Sequence, residues 1–179
     1  GRVLNEIQGT PSVRTLTGVD ESPASIQIAR DRFSAMSKTG RKPIAFHHAI
    51  AEIAPEQRFD AAFAFNVFHH IPPAQRAEQA RLIFERLKPG GLFMLWEHNP
   101  WNPLTRYLVK ICPFDEGVSL LHKSEARELF SQAGLKPIEE AFMNISPPAL
   151  HKFAPIGWLE RLSEKLPVGA QYRMIFRKA

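Results

Sequence analysis

Apolar positions in this chain follow two rhythms. Over residues 59–67 and again over 91–97 they are nearly continuous, the pattern of strands in a parallel sheet covered on both faces. Between those runs, Ala80, Ile83, Phe84 and Leu87 recur at three- and four-residue spacing after Pro72-Pro73, which predicts a helix with one buried stripe. Lys88-Pro89-Gly90-Gly91 then reads as a turn that stops the helix and opens the next strand. Ser22-Pro23 supplies an N-cap and a first-turn proline, and Ile26, Ala29, Phe33 and Met36 carry the helical period, so a helix is expected over 23–38, punctuated by Gly40. Residues 15–20, 43–47, 135–144 and 170–177 read as further strands. A short helix is expected over 1–7, and another over 124–133 capped by Gly134. Strands alternating with helices predict an α/β fold.

Polar residues gather at the ends of these strands. In open α/β sheets ligands bind at the carboxyl ends of strands, so Asn66, His69, His70, Glu97 and His98 stand where chemistry would occur. Asp20 closes the strand over 15–20. In nucleotide-binding βαβ units a glycine loop opens the first helix, and an acid about 20 residues on, at the tip of the second strand, bonds the ribose hydroxyls. Gly1 and Asp20 have that spacing. The expectation is that Gly1 is the last glycine of such a loop, with the first strand and the rest of the loop upstream.

Composition narrows the classes. A chain of 179 residues with 44% hydrophobic and 23% charged residues suits one soluble domain. The net charge of +5 is spread without dense runs, which reads as a solvated face and not a nucleic-acid groove. Cys112 is the only cysteine, which excludes an internal disulfide and multi-cysteine metal motifs and fits a reducing cytoplasm. It reads as a packed thiol. No apolar run is long enough to span a membrane. His47 and His48 are adjacent but lack a neighbouring carboxylate or cysteine cluster, so they read as structural histidines. Two connections are long, 98–123 and 145–169. The first contains a candidate short helix over 104–112, and the second a candidate amphipathic helix around Trp158, Leu159, Leu162 and Leu166. Both are expected to form a lid.

The Phe59-Asp60 entry, the His69-His70-Ile71 exit and the Lys88-Pro89-Gly90-Gly91 turn together resemble the fourth strand, helix and fifth strand of the class I S-adenosylmethionine-dependent methyltransferases. The resemblance covers roughly residues 1–144 and 170–179. It implies a single domain over 1–179 with a Rossmann-like, open and mostly parallel sheet flanked by helices. A terminal antiparallel hairpin is implied too, with strand one absent from the given chain. It further implies methyl transfer from S-adenosylmethionine, with cofactor contacts from Gly1, Asp20, Glu21, Ile50, Ala51, Asn66, Val67 and Phe68. Ile50 stands where the family places an acid beside the adenine, and His70 where it usually places a histidine. If the acceptor must lose a proton, His69, His70, Glu97 and His98 are the candidate bases. The Asn/Asp-Pro-Pro-aromatic signature of amino-group methylation is absent after residue 65, which favours a small-molecule or lipid-linked acceptor over nucleic acid. The segment 97–106 and the late 166–172 look like a group of bacterial methyltransferases. Two alternatives stay open: a catalytically inactive methyltransferase-like binding module, and an NAD-dependent oxidoreductase. The sequence sets no oligomeric state.

Overall fold

A computed structural model of the chain describes residues 2–37, 44–143, 164 and 166–179. They fall into two units, Gly1–Gln57 and Arg58–Ala179. The first contains α1 (Arg2–Gln8), β1 (Leu16–Val19), α2 (Pro23–Ser37), β2 (Ile44–His47) and a single 3-10 turn over Ile50–Glu52. The strands pair in parallel, Leu16 opposite Ile44 and Val19 opposite His47, a pairing that needs the helical crossover α2 provides. Ser22 Oγ accepts the backbone N–H of Ser25 at 3.2 Å and so starts α2. Ile26 and Phe33 form the buried stripe, with the Phe33 ring 5.7 Å from that of Phe46. Gly18 is required in β1 because a Cβ there would lie 2.8 Å from the Phe46 ring.

The second unit runs β3 (Phe59–Phe65), α3 (Pro73–Arg86), β4 (Leu87–His98), α4 (Pro103–Ile111), α5 (Lys123–Gln132), β5 (Leu135–Met143) and β6 (Gln171–Lys178). Its sheet has the order β3-β4-β6-β5. β3 is parallel to β4, with Phe65 opposite Trp96. β6 is antiparallel to both neighbours, with Leu95 opposite Met174 and Phe142 opposite Tyr172, so the terminal hairpin is present as expected. The core lies on one face of this sheet, where Phe93, Leu95, Met174 and Phe176 are buried, as are Ala80 of α3 and Ala126 and Phe130 of α5. Phe130 is its hub: ring centres of Phe93, Phe68 and Phe176 lie 4.8, 5.0 and 5.1 Å away. Truncating such a residue to alanine costs about 3–5 kcal/mol.

Three expectations are corrected. Lys88-Pro89-Gly90-Gly91 is not a turn before the strand; it lies inside β4, and Leu87, expected on the helix, is the strand's first residue. Phe59 pairs with Leu87 but Ala61 with Leu92, so the extra residues form a bulge. Gly90 there has φ 75°, and a Cβ on Gly91 would lie 2.8 Å from the Lys88 carbonyl oxygen. Second, β4 alternates: Phe93 and Leu95 are fully buried, whereas Met94 and Trp96 are half-buried and Leu92 is exposed. Third, Phe84 of the expected helical stripe is only half-buried, while Arg76 on the same helix is buried. Gly40 and the expected helix around Trp158, Leu159 and Leu162 lie outside the described residues.

Candidate active site

The site of the second unit is built where β3 and β4 end side by side. Asn66, immediately after β3, takes a left-handed backbone with φ 51° while its N–H donates to the Trp96 carbonyl at 2.8 Å. That conformation turns the chain out of the sheet, and a non-glycine residue held there carries strain. Tight turns follow, His70 N–H to the Val67 carbonyl at 3.0 Å and Ile71 N–H to the Phe68 carbonyl at 3.2 Å.

Glu97, one residue from the end of β4, reaches across to this turn. Its Oε1 accepts the backbone N–H groups of Val67 at 2.8 Å and Phe68 at 2.7 Å, and its Oε2 lies 2.7 Å from His69 Nδ1. Glu97 and His69 are each only 1% exposed. A carboxylate so deeply buried is tolerated because three donors replace its water.

With Nδ1 engaged, His69 presents Nε2 to the other side, 3.5 Å from Asp115 Oδ1, the same oxygen that lies 3.5 Å from His70 Nε2. The His98 ring is 5.0 Å from that of His69. Burial works to lower the proton affinity of His69, but the hydrogen bond and charge of Glu97, helped by Asp115, outweigh it and hold the pKa above the ordinary histidine value. His98 moves the other way: burial first, then the charge of His69, hold it low.

Asp115 arrives from the 3-10 turn Pro113–Asp115 after α4. The segment beyond it is stitched to the histidine turn by Ser119 N–H, which donates to the His69 carbonyl at 3.1 Å. Buried Arg76 bridges both, donating to the carbonyls of Ile71 at 3.0 Å and of Ser119. Neither Asp115 nor Arg76 is singled out by the sequence; an acid in a proline turn and an arginine on an amphipathic helix look like surface residues.

The start of the 98–123 connection is anchored. Asn99 Nδ2 donates to the carbonyls of Pro167 at 3.0 Å and Gly169 at 2.7 Å, and Asn102 Nδ2 to that of Val168 at 2.7 Å. Asn102 Oδ1 also caps α4 by accepting Thr105 N–H at 2.9 Å, while Thr105 Oγ1 donates to the Ala170 carbonyl at 2.9 Å. This clamp leaves the outer face of α4, with Leu104, Tyr107 and Ile111, and the nearby Trp101 and Phe114, exposed. On its inner side, a cavity of about 250 Å³ is walled by Thr105, Leu108, Val109, Cys112 and Ala170, with His98, Asp115 and Gln171 as its polar groups. A larger hollow of about 480 Å³ shares Val109, Cys112 and Asp115 but contains none of the histidines. It is the less suited to chemistry. Cys112 is half-buried in both walls, not packed into the core.

Of the residues expected to contact a cofactor, Asp20 and Glu21 are exposed just beyond β1, Ile50 is half-buried and Ala51 exposed on the 3-10 turn, and Gly1 lies outside the described residues. Asp20 Oδ1 accepts Ser22 N–H at 3.0 Å. Asn66 is half-buried and Val67 exposed at the strand end. Two expectations change. The Phe68 side chain is 1% exposed and packs on Phe130, so it belongs to the core and not to a ligand surface. Glu97, expected among the bases, has both oxygens committed to protein donors; it is a positioning residue for the histidine turn. His70 is accessible at 39%, and His98 borders the cavity. His47 and His48, expected to lack a neighbouring carboxylate, stand beside Glu52, which accepts the backbone N–H of His48 at 2.9 Å and lies 4.0 Å from His47 Nδ1.

Parallel strands joined by helical crossovers, with polar groups at their carboxyl ends, define a Rossmann-like α/β fold, whose ligands are bound at that edge. A family model described as a methyltransferase domain matches residues 1–93, more than half of the chain, and the chain belongs to that family of methyl-transferring enzymes. Among solved structures it is similar to a SAM-dependent methyltransferase from Archaeoglobus fulgidus, with TM-score 0.63, 14% identity and coverage of 99% of this chain and 91% of that one. It is also similar to the N-methyltransferase NodS from Bradyrhizobium japonicum in complex with S-adenosyl-L-homocysteine, with TM-score 0.61, 14% identity and coverage of 94% and 69%. The [4+2]-cyclase SpnF is another such structure, with TM-score 0.64, 17% identity and coverage of 97% and 69%. At such identities the likeness establishes the Rossmann-like fold alone. No curated protein matches the sequence.

Proposed function

We propose that this methyltransferase moves the methyl group of S-adenosylmethionine to a small-molecule or lipid-linked acceptor in a bacterial cytoplasm. S-adenosylmethionine is the family's donor, and a sulfonium is already activated. Catalysis therefore consists chiefly of holding an acceptor atom in line with the methyl group at near-contact distance.

The observation that carries the acceptor reading is the cavity of about 250 Å³ beside the end of β4, largely apolar but for His98, Asp115 and Gln171. It suits a modest apolar body whose nucleophilic oxygen or nitrogen meets His98 and Asp115 at the polar end. Burial holds His98 below the ordinary histidine value, which favours the neutral ring at that end. Glu97 fixes His69, whose Nε2 lies 3.5 Å from Asp115 Oδ1 and whose ring centre lies 5.0 Å from that of His98. In the first unit, Asp20, Glu21, Ile50 and Ala51, with Gly1, are the residues offered to the donor. Asp20 and Glu21 are exposed, as ribose-binding acids need to be. No helix of the described residues is long and apolar enough to cross a membrane.

The test is calorimetric binding of S-adenosylhomocysteine followed by methyl transfer from labelled S-adenosylmethionine to panels of phenols, amines, carboxylic acids, lipid-linked sugars and oligonucleotides. Label in a small or lipid-linked product, lost in His98→Ala while S-adenosylhomocysteine affinity holds, is the expected result. Label confined to oligonucleotides, or turnover indifferent to His98→Ala, refutes the reading.

A further inference from the structure

His69 faces acceptors on both sides. Its Nδ1 lies 2.7 Å from Glu97 Oε2, and an ionised carboxylate can only accept, so Nδ1 carries a proton. In the neutral ring Nε2 then presents a lone pair. That atom is buried without a hydrogen-bond partner and points at the Asp115 carboxylate, 3.5 Å away, which is also acceptor-only. A ring nitrogen of His98 completes the group, and the three ligand atoms all lie within 4.8 Å of one another. Electron pairs converging in a site this enclosed call for a positive charge between them.

A proton is the simpler candidate, but it serves a single pair, would draw Nε2 and Oδ1 into contact at about 2.7–2.9 Å, and leaves His98 outside the arrangement. A metal ion serves all three. Ligands about 2.0–2.1 Å from a common metal are separated by about 3–3.4 Å, which the Nε2–Oδ1 pair at 3.5 Å nearly meets already, while the His98 nitrogen, within 4.8 Å of both, closes in as the ion binds. The carboxylate behind His69 is independent support. A ligating imidazole usually donates its other N–H to such a group, which fixes the tautomer and aims the ring, and Glu97 is itself held in place by two backbone N–H groups.

We propose that His69 Nε2, His98 and Asp115 bind a first-row transition-metal dication. Two imidazoles with one carboxylate favour such an ion over magnesium or calcium, which prefer all-oxygen shells. Three protein ligands leave coordination positions free, and His98 and Asp115 border the cavity of about 250 Å³. An acceptor oxygen or nitrogen entering that cavity can take one of them, which orients it and lowers its proton affinity. That last role rests on the methyltransferase reading; metal binding itself does not.

The experiment titrates the chelator-stripped full chain with Co²⁺, followed by visible absorption and by competition with Zn²⁺. One cobalt per chain is expected, with His98→Ala and Asp115→Ala each weakening binding at least about tenfold, and Glu97→Gln weakening it about 10- to 100-fold without touching the ion. His47→Ala, in the other unit, should leave it unchanged. Circular dichroism confirms that each variant folds, and Asp115, in a surface turn, keeps the test decisive if His98 or Glu97 variants do not. Failure of the folded wild type to take up cobalt, or uptake indifferent to both His98→Ala and Asp115→Ala, overturns the proposal. So does nitrogen NMR showing His69 doubly protonated with cobalt present. Cobalt uptake without S-adenosylhomocysteine binding would instead count against the donor assignment alone, so the two failures are distinguishable.

Discussion

Removing the Glu97 carboxylate tests whether the buried pair at the strand ends holds the histidine turn in place. Glu97→Ala strands three donors: the backbone N–H groups of Val67 and Phe68 and the Nδ1–H of His69. Phe68 and His69 are each 1% exposed, whereas Val67 is 44% exposed and its N–H can recruit water. Two buried donors left unpaired, at about 1–3 kcal/mol each, set the loss near 2–6 kcal/mol. Breaking one member of a buried ionic pair independently suggests about 3–5 kcal/mol. In a chain of this length that is a fall in Tm of roughly 6–20 °C.

Glu97→Gln should behave differently. Its amide oxygen keeps the two backbone N–H groups, and its NH₂ can donate to His69 Nδ1 once the imidazole proton moves to Nε2. The loss is then confined to the charge-assisted part, about 1–2 kcal/mol. Urea unfolding at constant m-value ranks the three proteins, and nitrogen NMR of His69 reads the tautomer directly. An alanine variant within about 1 kcal/mol of wild type, or a glutamine variant with the tautomer unmoved, would show that Glu97 does not organise this turn.

Other predictions address the donor, the exposed aromatics and pH. Asp20→Ala should weaken S-adenosylhomocysteine binding roughly 10- to 100-fold, the value of hydrogen bonds to a charged acceptor; unchanged calorimetric affinity removes Asp20 from the site. Trp101 is 67% exposed with its ring edge-on to His122 at 5.3 Å, so Trp101→Ala should change stability by less than about 0.5 kcal/mol while raising the acceptor KM. A fall in Tm that weakens donor and acceptor together would make it a structural prop. Glu140 accepts Arg127 Nε–H at 2.7 Å, and that bond, against an opposing effect of burial and with the charges of Arg127 and Lys123, depresses its pKa in the fold. Its contribution is therefore present above the unfolded value near 4.5 and lost as pH falls through the depressed one. Glu140→Gln should thus lower the free energy of urea unfolding at pH 7, by under about 1 kcal/mol for so exposed a partner as Arg127, and hardly at all at pH 2. A difference independent of pH would contradict the linkage.

Periodicity and turn chemistry determined much of the architecture, because both act between near neighbours. The helix over Pro23–Ser37 follows from Ser22-Pro23 and the spacing of Ile26 and Phe33, and the terminal strands from short apolar runs bounded by Gly134 and the turn before Gln171. The sequence also placed Asn66, His69, His70, Glu97 and His98 together, since strands of a parallel pair end at the same edge. Which way each of them points was decided only by tertiary packing. Phe68 and His69 are adjacent in one turn, yet Phe130 claims the first for the core and Glu97 captures the second. Lys88-Pro89-Gly90-Gly91 has the composition of a turn and becomes a strand bulge because Phe59 pairs with Leu87. Asp115 has no local signal at all. It reaches the histidines because Arg76, on a different helix, ties Ile71 and Ser119 together, and hydrogen bonds between segments so far apart leave no periodic trace in the chain.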